Sequence, residues 1–116
     1  MKTTKFAFYL NKFFTVYLPS SKGSSPATVD SYRYAFIQFV SFMEERGVLP
    51  DRIKIDDLTQ QTVLDFLNWL QKRKGNSTAT RNQRQAALNS FFRYLMHEFP
   101  DYLSEVQRIL AIPIKK

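Results

Sequence analysis

Phe6, Leu10, Phe13 and Tyr17 recur at i, i+4, i+7 and i+11, the stripe of an amphipathic helix, and Pro19 predicts its end. The small polar run from Ser20 to Ser25 then reads as a loop. Ser25 is placed to cap a second helix with Pro26 in its first turn, and Val29, Tyr32, Phe36, Phe39 and Met43 form its apolar line. Gly47 suits the position just past the last turn, and Pro50 bars continuation. Between Val48 and Leu58, Ile53 and Ile55 alternate with charged residues; with no second strand in view, this is expected to be an extended connector. Thr59 caps a third helix whose inward face is Val63, Phe66, Leu67 and Leu70, with Trp69 beside it; Lys72, Arg73 and Lys74 fill its last turn and Gly75-Asn76 end it. Ser77 opens a fourth helix running to about Phe99, and Tyr102, Val106 and Ile109 mark a short fifth one that Pro113 ends. With no repeat and no strand pair, the pattern predicts an all-α fold, a compact bundle of four main helices plus a short C-terminal helix.

Composition bounds the picture further. The 116 residues are 44% hydrophobic and 16% aromatic, enough for one domain with a real core. There is no cysteine and one histidine, which excludes a disulfide framework and a thiolate or histidine-built metal site; no cofactor is expected. The apolar run Phe6–Leu10 is cut by Asn11 and Lys12, about half the length of a secretory signal core, and no stretch nears the roughly 18 apolar residues of a membrane span. A soluble cytoplasmic protein with no membrane partner is the expectation. Lys and Arg number 17 against 10 Asp and Glu, a net charge of +7, which suits a polyanionic partner without naming it.

Where the cations sit narrows the choice. On a helical wheel Ser77, Arg84, Leu88, Phe91 and Leu95 share one sector, so a line that is apolar in the second half of the fourth helix is polar and cationic in the first. If Leu88, Phe91 and Leu95 are buried, Ser77, Arg81 and Arg84 are expected to overhang the core's edge. Ser77, Thr78, Thr80, Arg81, Asn82, Gln83 and Arg84 at a helix start combine the dipole's positive end, free amides, hydroxyls and guanidinium forks, the groups that hold phosphates and read base edges. Lys72, Arg73 and Lys74 add cation just upstream. The second helix begins in a similar way, with Lys22, Ser24, Thr28 and Arg33 around its first turns and Glu44 and Glu45 held to its far end. The two basic starts together are the candidate DNA-binding residues.

At this point the residues carry a resemblance. Thr28 to Phe36 with Phe39 and Phe42, then Ile55-Asp56-Asp57-Leu58-Thr59, then Ser77 to Leu95, resemble successive helices of the N-terminal core-binding (SAM-like) domain of phage integrases and Xer-type recombinases, the tyrosine recombinase family. The resemblance covers nearly the whole chain and is most specific over the fourth helix. It implies a clamp in which this domain, residues 1–112, lies on one face of a double-stranded recombination site, with 113–116 beginning a linker to a catalytic domain that covers the other face. It further implies that the second and fourth helices face the DNA, and that the first and fifth contribute to self-association of protomers on it. No arm-type extension is expected ahead of the domain. The family's Arg, Lys, His and Tyr catalytic set belongs to the domain after the linker, so no catalytic residue is assigned here and none of the six tyrosines is a nucleophile.

Other chemistry reads as structural. Asp56 and Asp57 sit where carboxylates complement a helix start, and His97 sits near a helix end that favours an imidazolium. The alternative function is a helical protein-interaction module, or an accessory DNA-binding protein. Phe8, Phe14, Phe92 and Trp69 are the aromatics expected to be exposed for a protein partner.

Overall fold

The computed structural model describes residues 5–116, with the backbone alone at residues 21 and 22. The fold is all-α. Its helices are α1 (Phe6–Lys12), α2 (Pro26–Glu45), α3 (Gln60–Lys72), α4 (Thr78–Glu98) and α5 (Leu103–Leu110), with no strand among the described residues. They fall into two compact units, one up to Asp57 and one from Leu58 onward.

In the first unit α1 does not stop at Pro19. It passes into a π-helical segment, Phe13–Lys22, with Pro19 inside it, so the expected loop from Ser20 shrinks to Gly23–Ser25. In an α-helix the proline ring would collide with the carbonyl four residues back; a five-residue step moves that carbonyl away. Hydroxyls supply donors to the widened turns, with Thr15 Oγ1 donating to the Asn11 carbonyl at 2.8 Å and Ser20 Oγ to the Val16 carbonyl. The segment ends at Gly23, whose φ of 58° few other residues adopt. The widening also moves the buried line. Phe6, Tyr9, Phe13 and Leu18 are buried, the last step being five residues, while the expected Leu10 and Tyr17 are half-buried.

Ser25 caps α2 as the sequence predicts, its Oγ accepting the Thr28 N–H at 3.2 Å, and Gly47 follows the last turn with φ 88°. The core of α2 lies in its second half, at Ala35, Phe36, Phe39, Phe42 and Met43; Val29 and Tyr32 are only half-buried. Rings join it to α1 and the π-segment, Phe6 lying 5.8 Å from Phe39 and Phe13 6.2 Å from Phe36. Each such buried ring contributes on the order of 1.5–3 kcal/mol of transfer free energy. The connector does find a partner. Ile53 and Ile55 are buried, the Phe6 N–H donates to the Ile53 carbonyl at 3.0 Å, and Lys5 and Lys54 form one antiparallel bridge. Asp57 closes its own 3-10 turn by accepting the Lys54 N–H at 2.9 Å.

In the second unit Thr59 caps α3, and Val63, Phe66, Leu67 and Leu70 are all buried, as their spacing predicts. Both α3 and α5 pack against α4. The second half of α4 is therefore enclosed around much of its circumference, burying Ala87, Leu88, Ser90, Phe91, Phe92, Tyr94 and Leu95. Phe92 is thus a core ring, contrary to the expectation of an exposed one, because a central helix carries no single narrow apolar stripe. Val106 and Ile109 anchor α5. Glu105 on α5 accepts the Gln60 N–H at 2.9 Å, so one helix helps cap the start of another.

Candidate nucleic-acid interface

The start of α4 is built by local rules. Ser77 Oγ accepts the Thr80 N–H at 3.2 Å and lies 3.1 Å from Thr80 Oγ1, leaving Ser77 exposed and Thr78 and Thr80 half-buried. Lys72, Arg73 and Lys74 are exposed on the turn just before it, Lys74 Nζ resting 5.3 Å from the centre of the Trp69 ring. Hydroxyls, a helix start and three cations therefore converge within one compact unit.

The expected overhang is not there. Arg81 is only 7% exposed, and Arg84 is half-buried. Residues of the segment 112–116 run alongside these turns and bond to them. Gln85 Nε2 donates to the Ile112 carbonyl at 2.8 Å, while Asn82 Nδ2 donates to the Lys115 carbonyl at 2.7 Å and Asn82 Oδ1 accepts the Lys115 N–H at 3.1 Å. Lys115 Nζ also donates to Gln71 Oε1 on α3 at 3.0 Å. Arg81 Nε and Nη1, Gln85 Oε1 and Asn89 Oδ1 are buried without a hydrogen-bond partner among the described residues. An unmade buried bond costs about 1–3 kcal/mol, more for a charged group, so Arg81 opposes its own burial here.

At the start of α2, Ser24 and Thr28 are half-buried and Arg33 is exposed. The Arg33 guanidinium pairs with Asp30 at 3.3 Å and lies 5.5 Å from the centre of the Phe14 ring, which holds it in place and offsets part of its charge. The Lys22 side chain lies outside the described residues. Sequence reasoning counts Asn82 among the DNA-facing groups, where the structure has it bonded to the Lys115 backbone, and misses Gln85 and Lys115. Asn82 and Gln85 are polar positions of α4 that read in sequence as a solvated face, and their partner lies roughly 30 residues away in the chain.

Of the six tyrosines, Tyr9 and Tyr94 are core residues and Tyr34 is exposed, while the Tyr102 hydroxyl donates to the Leu58 carbonyl. Among the described residues no three His, Asp or Glu side chains gather as metal ligands, and no helix is long and apolar enough to cross a membrane.

The family described as phage integrase, N-terminal SAM-like domain, matches residues 11–99, from the end of α1 through α4. The chain is 38% identical over 108 residues to an integrase/recombinase of Sinorhizobium fredii, y4rC, covering 92% of this chain and 32% of that protein. It is 39% identical over 83 residues to the tyrosine recombinase XerC of Herpetosiphon aurantiacus, covering 71% and 25%. To transposase A from transposon Tn554 of Staphylococcus aureus it is 28% identical over 108 residues, covering 89% and 28%. The chain thus spans about a third or less of the length of these curated relatives. No solved structure matches it. With the match extending over most of the helical framework, the chain belongs to the phage integrase family of tyrosine recombinases, as an N-terminal SAM-like domain.

Proposed function

We propose that this chain binds double-stranded DNA as the core-binding part of a tyrosine site-specific recombinase acting in the cytoplasm. In this reading residues 1–112 grip the recombination site and 113–116 begin the connection to a catalytic part that carries the strand-transfer residues. The observation that carries the reading is the start of α4, where a Ser77-capped helix follows three exposed cations and holds Arg81 with its Nε and Nη1 unpaired. Ser77, Thr78, Thr80, Arg81 and Arg84, with Lys72, Arg73 and Lys74, would take phosphates there, and Lys22, Ser24, Thr28 and Arg33 would do so at the start of α2. None of these groups is asked to do chemistry, and self-association on DNA belongs to the same proposal.

Affinity for a generic duplex measured at 50 and 200 mM salt tests it. Four phosphate contacts would lower affinity by roughly a hundredfold between those salt concentrations. An affinity indifferent to salt, or no binding at low salt, would rule the reading out.

A second reading has one observation in its favour. Between α1 and α2 lies an open apolar groove of about 560 Å³, lined by Phe6, Leu10, Phe14, Phe36, Ile37 and Val40, with Ile37 57% exposed. A surface of that kind suits a protein partner, and the same salt titration separates the two readings.

A further inference from the structure

We propose that residues 112–116 form a strap that docks on the first turns of α4, with Asn82 as its clasp, and that docking of the strap competes with nucleic acid for Arg81. The Asn82 amide engages both backbone groups of Lys115, as a neighbouring strand would, and Gln85 holds the Ile112 carbonyl three residues earlier. Gln71 on α3 takes the Lys115 ammonium. The strap is thus fixed at both ends by side chains of the unit it lies on.

The energetics point to two states. Arg81, one residue before the clasp and one turn before Gln85, is only 7% exposed, with Nε and Nη1 unpaired. Buried donors without acceptors oppose the closed state, while the strap's hydrogen bonds favour it; each net bond is worth roughly 1 kcal/mol, so the balance is small. Lifting the strap would expose Arg81 to water or to a phosphate, and a phosphate would hold the strap open by mass action. Loading of DNA onto α4 would then release the segment that leaves the domain. The second half of this inference rests on the DNA reading above; the first does not.

Two measurements on the full chain decide it. Amide hydrogen exchange at Lys115 reads the strap directly: protection is expected in the wild type, with a fall of roughly tenfold or more in Asn82→Ala, which loses two bonds. Asn82→Asp, which keeps the acceptor, should retain part of that protection. An unprotected Lys115 amide in the wild type, or protection unchanged in Asn82→Ala, overturns the strap. The competition is read with Lys115→Ala and Lys115→Pro, which carry the same charge and differ in the backbone N–H. Lys115→Pro should bind a 20-base-pair duplex about threefold or more tighter than Lys115→Ala at the same salt. Equal or weaker binding overturns the competition. If the wild type binds no duplex at low salt, the DNA reading fails and the competition with it, while the exchange rates still decide whether the strap exists.

Discussion

The starts of α2 and α4 share a local design and differ in what happens to it. Each has a serine cap followed three residues later by a threonine, and the geometry repeats: the serine Oγ accepts the threonine N–H at 3.2 Å in both and lies 3.1 Å from the threonine hydroxyl in both. Each then presents an arginine near its start, in the third turn of α2 and the second of α4. At α2 that arginine, Arg33, is exposed and paired with Asp30; at α4, Arg81 is buried with its Nε and Nη1 unpaired. Caps follow from neighbours in the chain, whereas burial of a cation follows from whatever the rest of the chain lays over it.

The largest effect that would break the contrast lies in the half of α4 that supports its start. Phe91→Ala should cost on the order of 3–5 kcal/mol in denaturant unfolding, since the ring is fully buried in the central helix. Next comes the buried cation itself. Arg81→Leu should stabilise the chain by about 1–3 kcal/mol in the same assay, by removing donors that have no acceptors, and should weaken duplex binding. This reverses the outcome an overhanging Arg81 would give, where stability would hardly change. The caps should come next and should match. Ser25→Ala and Ser77→Ala are each expected to cost about 1 kcal/mol, and losses differing by more than that would mean the two caps are not equivalent. Smallest is Arg33→Ala, whose exposed ion pair should leave unfolding within about 0.5 kcal/mol of wild type while reducing affinity for duplex at low salt.

The same contrast explains what could be read from the sequence. Ser25, Thr59 and Ser77 were legible as caps because a cap is decided within four residues. The inward face of α3 was legible because a helix with one buried side declares it at fixed spacing. Phe92 was not, because α4 is enclosed by two other helices and its apolar residues no longer fall in one sector. Arg81 was misjudged for a related reason: nothing near it in the chain signals that Ile112 and Lys115 return to its turn. In the candidate site, residue types and the helix start were readable and accessibility was not. The π-segment was hidden by Pro19, which in sequence reads as a stop and in the structure is accommodated by a wider turn.

That wider turn bears on how the chain tolerates changes in length. A π-helical stretch is equivalent to an α-helix with residues added to its turns, so the segment Phe13–Lys22 holds a reserve that the other helices lack. Removing Thr15, with Pro19 replaced by Ala so that no ring meets the carbonyl four residues back, would shorten the step from Phe13 to Leu18 to four residues, keeping both on the buried side in ordinary α geometry. Removing Ala87 from α4 would instead rotate everything after it by about 100° out of the core. A chain without Thr15 and carrying Pro19→Ala should still unfold cooperatively on heating, and one without Ala87 should not. Relatives that differ in length within this part of the domain would be expected to do so in the π-segment first.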